Sequence, residues 1–235
     1  QLAVLKRQSL NGQFVAVTGS SGKTTVKEML QKVLFQAGEV EVTQGNLNND
    51  IGVPLTLWSM QDHIDYRVLE LGANHIGEIA YTSRMVMADV AVLNNAQEAH
   101  LSGFGGLGGV VKAKGEIISG LSEQGQVVLN LDDPHVSEWQ VLAKPRRLWT
   151  FSLSNPKASV YASDIKRTPR GSHFMMHLGQ QHELVNLQLL GQHNVANALA
   201  AAAAALALGL SLDQVVQGLG QARPYQGRLV SHQLS

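Results

Sequence analysis

Phe14-Val15-Ala16-Val17-Thr18-Gly19-Ser20-Ser21-Gly22-Lys23-Thr24-Thr25-Val26-Lys27-Glu28-Met29-Leu30-Gln31-Lys32-Val33-Leu34-Phe35-Gln36-Ala37 is the stretch that decides the fold. Its first five residues are apolar and β-branched enough for a buried strand, which Gly19 ends. Val26, Met29, Leu30, Val33, Leu34 and Ala37 recur at the spacing of one helical face, and Gly38 is a natural stop. Between strand and helix, glycines let a tight bend turn its N–H groups toward one point. The helix N-terminus adds positive potential there, and Lys23 adds a full charge. Thr24 offers a hydroxyl suited to Mg²⁺. The general G-x-x-x-x-G-K-[ST] loop asks for glycine where this chain has Val17, so Gly19-Ser20-Ser21-Gly22-Lys23-Thr24 is a shortened form. A Gly/Ser turn before a helix is the plainer alternative. The strand before, the helix after and Gly-Lys-Thr at the join point to nucleotide phosphate instead.

Outward from the loop, strand-like and helix-like segments alternate. Residues 66–71, 88–93 and 126–131 read as strands, and helical stretches fall near 76–86, 110–121 and 134–142. That order predicts an α/β fold built on a P-loop and a mostly parallel sheet flanked by helices. From about Ala158 the texture changes. Residues 160–166, 172–178 and 183–190 read as short antiparallel strands joined by Pro169-Arg170-Gly171 and Gly179-Gln180-Gln181 turns, a small antiparallel subregion spanning 158–190. An alanine-rich helix follows from about His193, and another from Ser211, which is placed to cap it.

Composition narrows the function. Lys plus Arg and Asp plus Glu are 18 each in 235 residues, so the net charge is zero, which argues against nucleic-acid binding. The absence of cysteine excludes disulfides, thiolate metal sites and cysteine nucleophiles. The most apolar run, Val195 to Leu210, is too short and alanine-dominated to span a bilayer, and the N-terminal residues form no secretory signal. The expected location is the cytoplasm. The chain begins without Met, which reads as a piece of something longer.

Several side chains stand where chemistry could occur. Glu70 ends an apolar strand and faces the carboxyl edge of the sheet, where α/β ligands bind; it could hold Mg²⁺ or simply meet solvent. Asp132 and Asp133 end a later strand and read equally as a turn or a site. His100, in the loop after Leu93, reads as a solvated or structural histidine as readily as a ligand. Lys114 is odder. It falls inside the apolar stripe of Val110, Ala113, Ile117, Ile118 and Leu121, whereas Lys112 and Glu116 face elsewhere and could pair. An inward lysine snorkels to the surface in the plainer reading. It could instead approach phosphates, or react as a partly neutral amine with CO₂ to give an anionic carbamate.

Seven ordered segments together resemble the Mur ligase family, the ATP-dependent amide ligases of peptidoglycan synthesis. They are residues 18–25, 43–56, Glu70-Leu71-Gly72-Ala73-Asn74, 94–101, 113–117, 129–133 and Gly191-Gln192-His193-Asn194-Val195-Ala196-Asn197. The resemblance implies that Gly19, Ser20, Ser21, Gly22, Lys23, Thr24 and Thr25 bind the phosphates of ATP. It implies two Mg²⁺ ions, with Thr24, Glu70, His100 and a carbamylated Lys114 as ligands. It implies that Asn194 and Asn197 meet adenine, that Arg228 reaches toward the γ-phosphate, and more weakly that Asn46, Asn48 and Asn49 face a muramyl-peptide substrate. In the full-length enzyme the substrates it implies are ATP, UDP-muramyl-tripeptide and D-Ala-D-Ala, joined through an acyl phosphate, with Lys23, Lys114, His100 and Arg228 catalytic. Such ligases have three domains. Residues 1–235 correspond to the central ATP-binding one, with the uridine-binding and C-terminal domains expected to be absent, no membrane partner and a monomeric state. A non-catalytic nucleotide-binding module and the core of a folylpolyglutamate- or cyanophycin-type ligase are the alternatives.

Overall fold

Helices and strands alternate from the start of the chain, and the computed structural model describes residues 1–98 and 101–224. The order is α1 (Leu2–Ser9), β1 (Gln13–Thr18), α2 (Lys23–Leu34), β2 (Val40–Val42), α3 (Gly52–Ser59), β3 (Tyr66–Glu70), α4 (Glu78–Val86), β4 (Val90–Leu93), α5 (Leu101–Phe104) and α6 (Leu107–Gly115). A 3-10 turn (Glu116–Gly120) precedes β5 (Gln126–Asn130), α7 (Val136–Ala143), β6 (Leu148–Ser152), β7 (Val160–Thr168), β8 (Gly171–Leu178), β9 (Gln181–Leu187), α8 (Gln192–Ala207) and α9 (Leu212–Gly220).

Among the described residues the strands form one nine-stranded sheet, in the order β2-β3-β1-β4-β5-β6-β7-β8-β9. Pairing is parallel from β2 to β7 and antiparallel over β7, β8 and β9. The antiparallel strands are therefore no separate sheet. They continue the main one through Phe151↔Val160 and Ser152↔Tyr161. β1 lies between β3 and β4, so the winding reverses at its carboxyl end and opens a crevice there.

Side-chain alternation along β1 sorts the core into two layers. Val15 and Val17 join the cluster built by α2, α8 and α9 on one face. Phe14 and Ala16 join the cluster built by α1, α3, α4, α6 and α7 on the other. β4 repeats the pattern, with Val90 and Val92 toward one face and Ala91 and Leu93 toward the other. Ala198 to Ala205 of α8 are all buried, so the small side chains serve close packing against the sheet and α2. No helix among the described residues is long and apolar enough to cross a membrane.

The expected helix over 110–121 is shorter and begins earlier. α6 ends at Gly115, and the 3-10 turn brings Gly120 so close to α4 that a Cβ there would lie 2.3 Å from the Ser83 carbonyl carbon. The expected pairing of Glu116 with Lys112 gives way to a different one. Glu116 accepts from the amides of Gly77 at 2.7 Å and Ala80 at 3.0 Å, satisfying the open N-terminus of α4.

Candidate functional site

The bend between β1 and α2 has the shape its glycines suggested. Gly22 is left-handed, with φ 80°, and a Cβ on it would lie 2.3 Å from Asn197 Oδ1 and 2.5 Å from Asn94 Nδ2. Lys23 Nζ donates to Gly19 O at 2.9 Å, so the ammonium folds back over the bend. The amides do not all converge on one open point, however. Ser20 N donates to Asn95 O and Ser21 N to Asn95 Oδ1, each at 3.0 Å. The loop after β4 thus takes the first two amides. The first helical bond of α2 runs from Val26 N to Gly22 O at 2.9 Å, so the amides of Thr24 and Thr25 precede the ladder and face out of the helix end.

Beside the bend, Glu70 is buried at the end of β3. Its Oε2 accepts from Thr24 Oγ1 at 3.0 Å and its Oε1 from Asn48 Nδ2 at 2.8 Å, while its amide donates to Thr43 Oγ1 at 3.0 Å. A hydroxyl and a carboxylate in contact at the mouth of a phosphate loop suit Mg²⁺, a hard cation that completes its shell with water and phosphate oxygens. Among the described residues there is no cluster of three or more His, Asp or Glu that could hold a metal without such help. Of the three asparagines expected to face substrate, Asn48 reaches Glu70. Asn49 Oδ1 accepts from Gly52 N at 2.7 Å while the residue lines the same small cavity as Lys23 and Asn48, and Asn46, whose carbonyl accepts from Asn48 N at 2.8 Å, is exposed.

Lys114 does not snorkel. It is 4% exposed and lines a cavity of about 150 Å³ together with Ser20, Lys23, Asn48, Asn49 and Phe104. Its ammonium lies 5.6 Å from the centre of the Phe104 ring. The head group therefore faces this small cavity beside the bend rather than the outer surface of α6. Burial lowers its pKa to about 8, the Lys23 charge pushes the same way, and Glu116 and Glu78 oppose the shift.

On the other side of the bend a cavity of about 2200 Å³ is bounded by Ser21, Gly22, Thr25, Asn94, Asn194 and Asn197. Asn197 Nδ2 donates to Asn194 Oδ1 at 3.3 Å, and Asn194 Nδ2 to Leu190 O at 2.8 Å, so the two asparagines of α8 stand together at its rim. The carboxylates of Asp132 and Asp133 are occupied structurally. Asp132 accepts from Ser152 Oγ and Leu153 N, and Asp133 from Ala96 N and His135 N. Both residues also line the large cavity, so they shape the turn and border the candidate site at once. His100 and Arg228 lie outside the described residues.

Sequence reasoning missed Asn94 and Asn95 as individual site residues. The available signal was their place at the carboxyl end of β4, beside the switch point.

The parallel sheet with this glycine-lysine bend at its switch point defines a phosphate-loop, nucleotide-binding α/β domain. Within that class the chain belongs to the Mur ligase middle-domain family, whose profile matches residues 17–205. The UDP-N-acetylmuramoyl-tripeptide--D-alanyl-D-alanine ligase of Escherichia coli K12 is 46% identical to it over 235 residues, 100% of this chain and 52% of that protein. Among solved structures, MurF from Acinetobacter baumannii superposes with a TM-score of 0.95 at 42% identity, covering 100% of this chain and 51% of that one. MurF ligase from Thermotoga maritima in complex with ADP gives 0.86 at 29% identity, covering 97% and 53%. The chain spans about half the length of the relatives it matches.

Proposed function

We propose that this chain is the ATP-binding core of an amide ligase that adds D-alanyl-D-alanine to UDP-N-acetylmuramoyl-tripeptide in cytoplasmic peptidoglycan-precursor synthesis. The observation that carries this reading is the convergence of Lys23, the Thr24–Glu70 contact and buried Lys114 on the carboxyl end of β1. Whole-chain identity of 46% to a ligase of that name supports the substrate class over a folylpolyglutamate- or cyanophycin-type ligase.

ATP, when bound, supplies the phosphoryl group that gives a carboxylate a leaving group. The chain's own residues bind and balance charge. The opening amides of α2 and the Lys23 ammonium meet the phosphates, where a substrate carboxylate approaching a triphosphate needs positive potential. Thr24 and Glu70 would supply oxygen donors to one Mg²⁺, which would offset phosphate charge there. Lys114, partly neutral near pH 8, adds through its nitrogen to CO₂. The new N–C bond forms as an N–H proton leaves to solvent, giving an anionic carbamate suited, with His100, to a second Mg²⁺. Asn194 and Asn197 would meet adenine, Arg228 would serve the γ-phosphate, and Asn46, Asn48 and Asn49 the muramyl-peptide substrate, in a protein we take to work as a monomer.

Calorimetric titration with ATP, with and without Mg²⁺, tests this reading. The unaltered chain should bind with Mg²⁺. Lys23→Ala should bind about tenfold to a hundredfold more weakly, the scale of one charge-assisted contact. Equal affinity in the two proteins would overturn the proposal.

A further inference from the structure

Asn94 follows β4 and hydrogen-bonds to two parts of the crevice, the phosphate bend and the asparagine pair of α8, which also pack on each other directly where Gly22 meets Asn197. Its Nδ2 donates to Ser21 O at 3.1 Å and to Asn197 Oδ1 at 2.9 Å. The residue is buried, and its Oδ1 has no hydrogen-bond partner among the described residues. Turning the amide over would set that oxygen against the Ser21 carbonyl and Asn197 Oδ1, so its neighbours fix the nitrogen where it is. An amide that leaves one buried oxygen unpaired is a poor choice for packing alone. The fit around it is also close. A Cβ on Gly19 would lie 3.1 Å from Asn94 Cβ, and one on Gly22 would meet both Asn94 Nδ2 and Asn197 Oδ1. Asn94 therefore touches both glycines that shape the bend and the α8 side chain at the rim of the large cavity.

We propose that Asn94 is a positioning residue that couples the base end of the nucleotide site to its phosphate end: through the single Nδ2, Asn197 helps set where the Ser21 carbonyl, which Asn95 Nδ2 also holds at 3.2 Å, and with it the bend, comes to rest. The inference rests on the nucleotide-site reading above. Its distinctive consequence is that Asn197 matters for a ligand that has no base.

The probe is inorganic tripolyphosphate with Mg²⁺, titrated calorimetrically beside ATP into the unaltered chain, Asn197→Ala, Asn94→Ala and the double variant. Each single variant should bind tripolyphosphate at least fivefold more weakly, with no further loss in the double variant because both break one link. Melting temperatures identify any variant that fails to fold. For that case Asn197→Ser, whose hydroxyl falls short of Asn94, should show the same loss. Unchanged tripolyphosphate affinity in Asn197→Ala or Asn197→Ser, with ATP affinity reduced, overturns the coupling and leaves the nucleotide site standing. Losses that multiply in the double variant also overturn it, as does an unaltered chain that binds ATP but not tripolyphosphate. An unaltered chain that binds neither ligand overturns the nucleotide-site reading and the coupling together.

Discussion

The Lys114 ammonium is buried beside a second ammonium, that of Lys23, and folding must desolvate it. Its folded pKa of about 8 lies below the ordinary lysine value of 10.5, so between those values the unfolded chain binds more protons. The penalty is therefore full below about pH 8, eases as pH rises and is gone above 10.5. Lys114→Met removes the charge and keeps the length. In CO₂-free buffer it should raise the unfolding free energy at pH 7 by about 1–3 kcal/mol, with the gain shrinking toward pH 10.5. Urea denaturation of both proteins at pH 7, 9 and 10.5 measures it, and a gain independent of pH would refute this origin. The inward direction of Lys114 was legible in the phase of its apolar stripe, because helix geometry is local. Its burial was not, because that depends on Phe104 and on loops from β1 and β3. Glu70 was legible as a strand end for the same local reason. Asn94 was not, since its partners Ser21 and Asn197 lie 73 and 103 residues away.

Whole elements divide along the same line. α9 was legible because Ser211 announced it, and its capping box with Gln214 is formed in both directions. α3 was not, because Ile51, Leu55 and Trp58 at and within it are exposed and the segment has no clean apolar stripe. β2 has three residues at the sheet edge, and β6 has five with little alternation; pairing with neighbours makes them strands. The contact between α9 and α2 supports a test that separates intrinsic preference from packing. Alanine is favoured over glycine within a helix by about 1 kcal/mol. A Cβ on Gly218, however, would lie 2.3 Å from Val33 Cα and 2.8 Å from Lys32 O, backbone atoms that cannot rotate away. Packing should win, so Gly218→Ala is expected to destabilise by about 1–3 kcal/mol. Ser211→Ala, which loses only the cap, should cost about 1 kcal/mol. Chemical denaturation of the two variants checks the order, and a stabilised Gly218→Ala would show that α9 does not depend on this close approach.

At the scale of the molecule, the two core layers share the same strands, and the candidate site draws on β1, β3, β4 and α8 together. Neither layer can lose its strands without exposing the other, so the two should unfold as one unit. Two tryptophans report on them separately. Trp139 is fully buried in the layer of α6 and α7, with its indole N–H donating to Val111 O at 3.1 Å. Trp149 packs against the opposite cluster and donates to Gln126 Oε1 at 2.9 Å. With Trp58 replaced by Phe, Trp139→Phe and Trp149→Phe leave one reporter each, and both proteins should melt in single transitions whose midpoints follow the far-ultraviolet signal of the same protein. ATP with Mg²⁺ at about a hundred times its dissociation constant adds roughly 2.7 kcal/mol to the folded state. For a chain of this size that corresponds to a rise of roughly 5–10 °C. The rise should appear equally at both tryptophans and shrink when EDTA removes Mg²⁺, as the metal site proposed at Thr24 and Glu70 requires. A rise seen by only one tryptophan would mean that nucleotide binds a part of the sheet that melts alone, and that the continuous sheet is not the unit that folds.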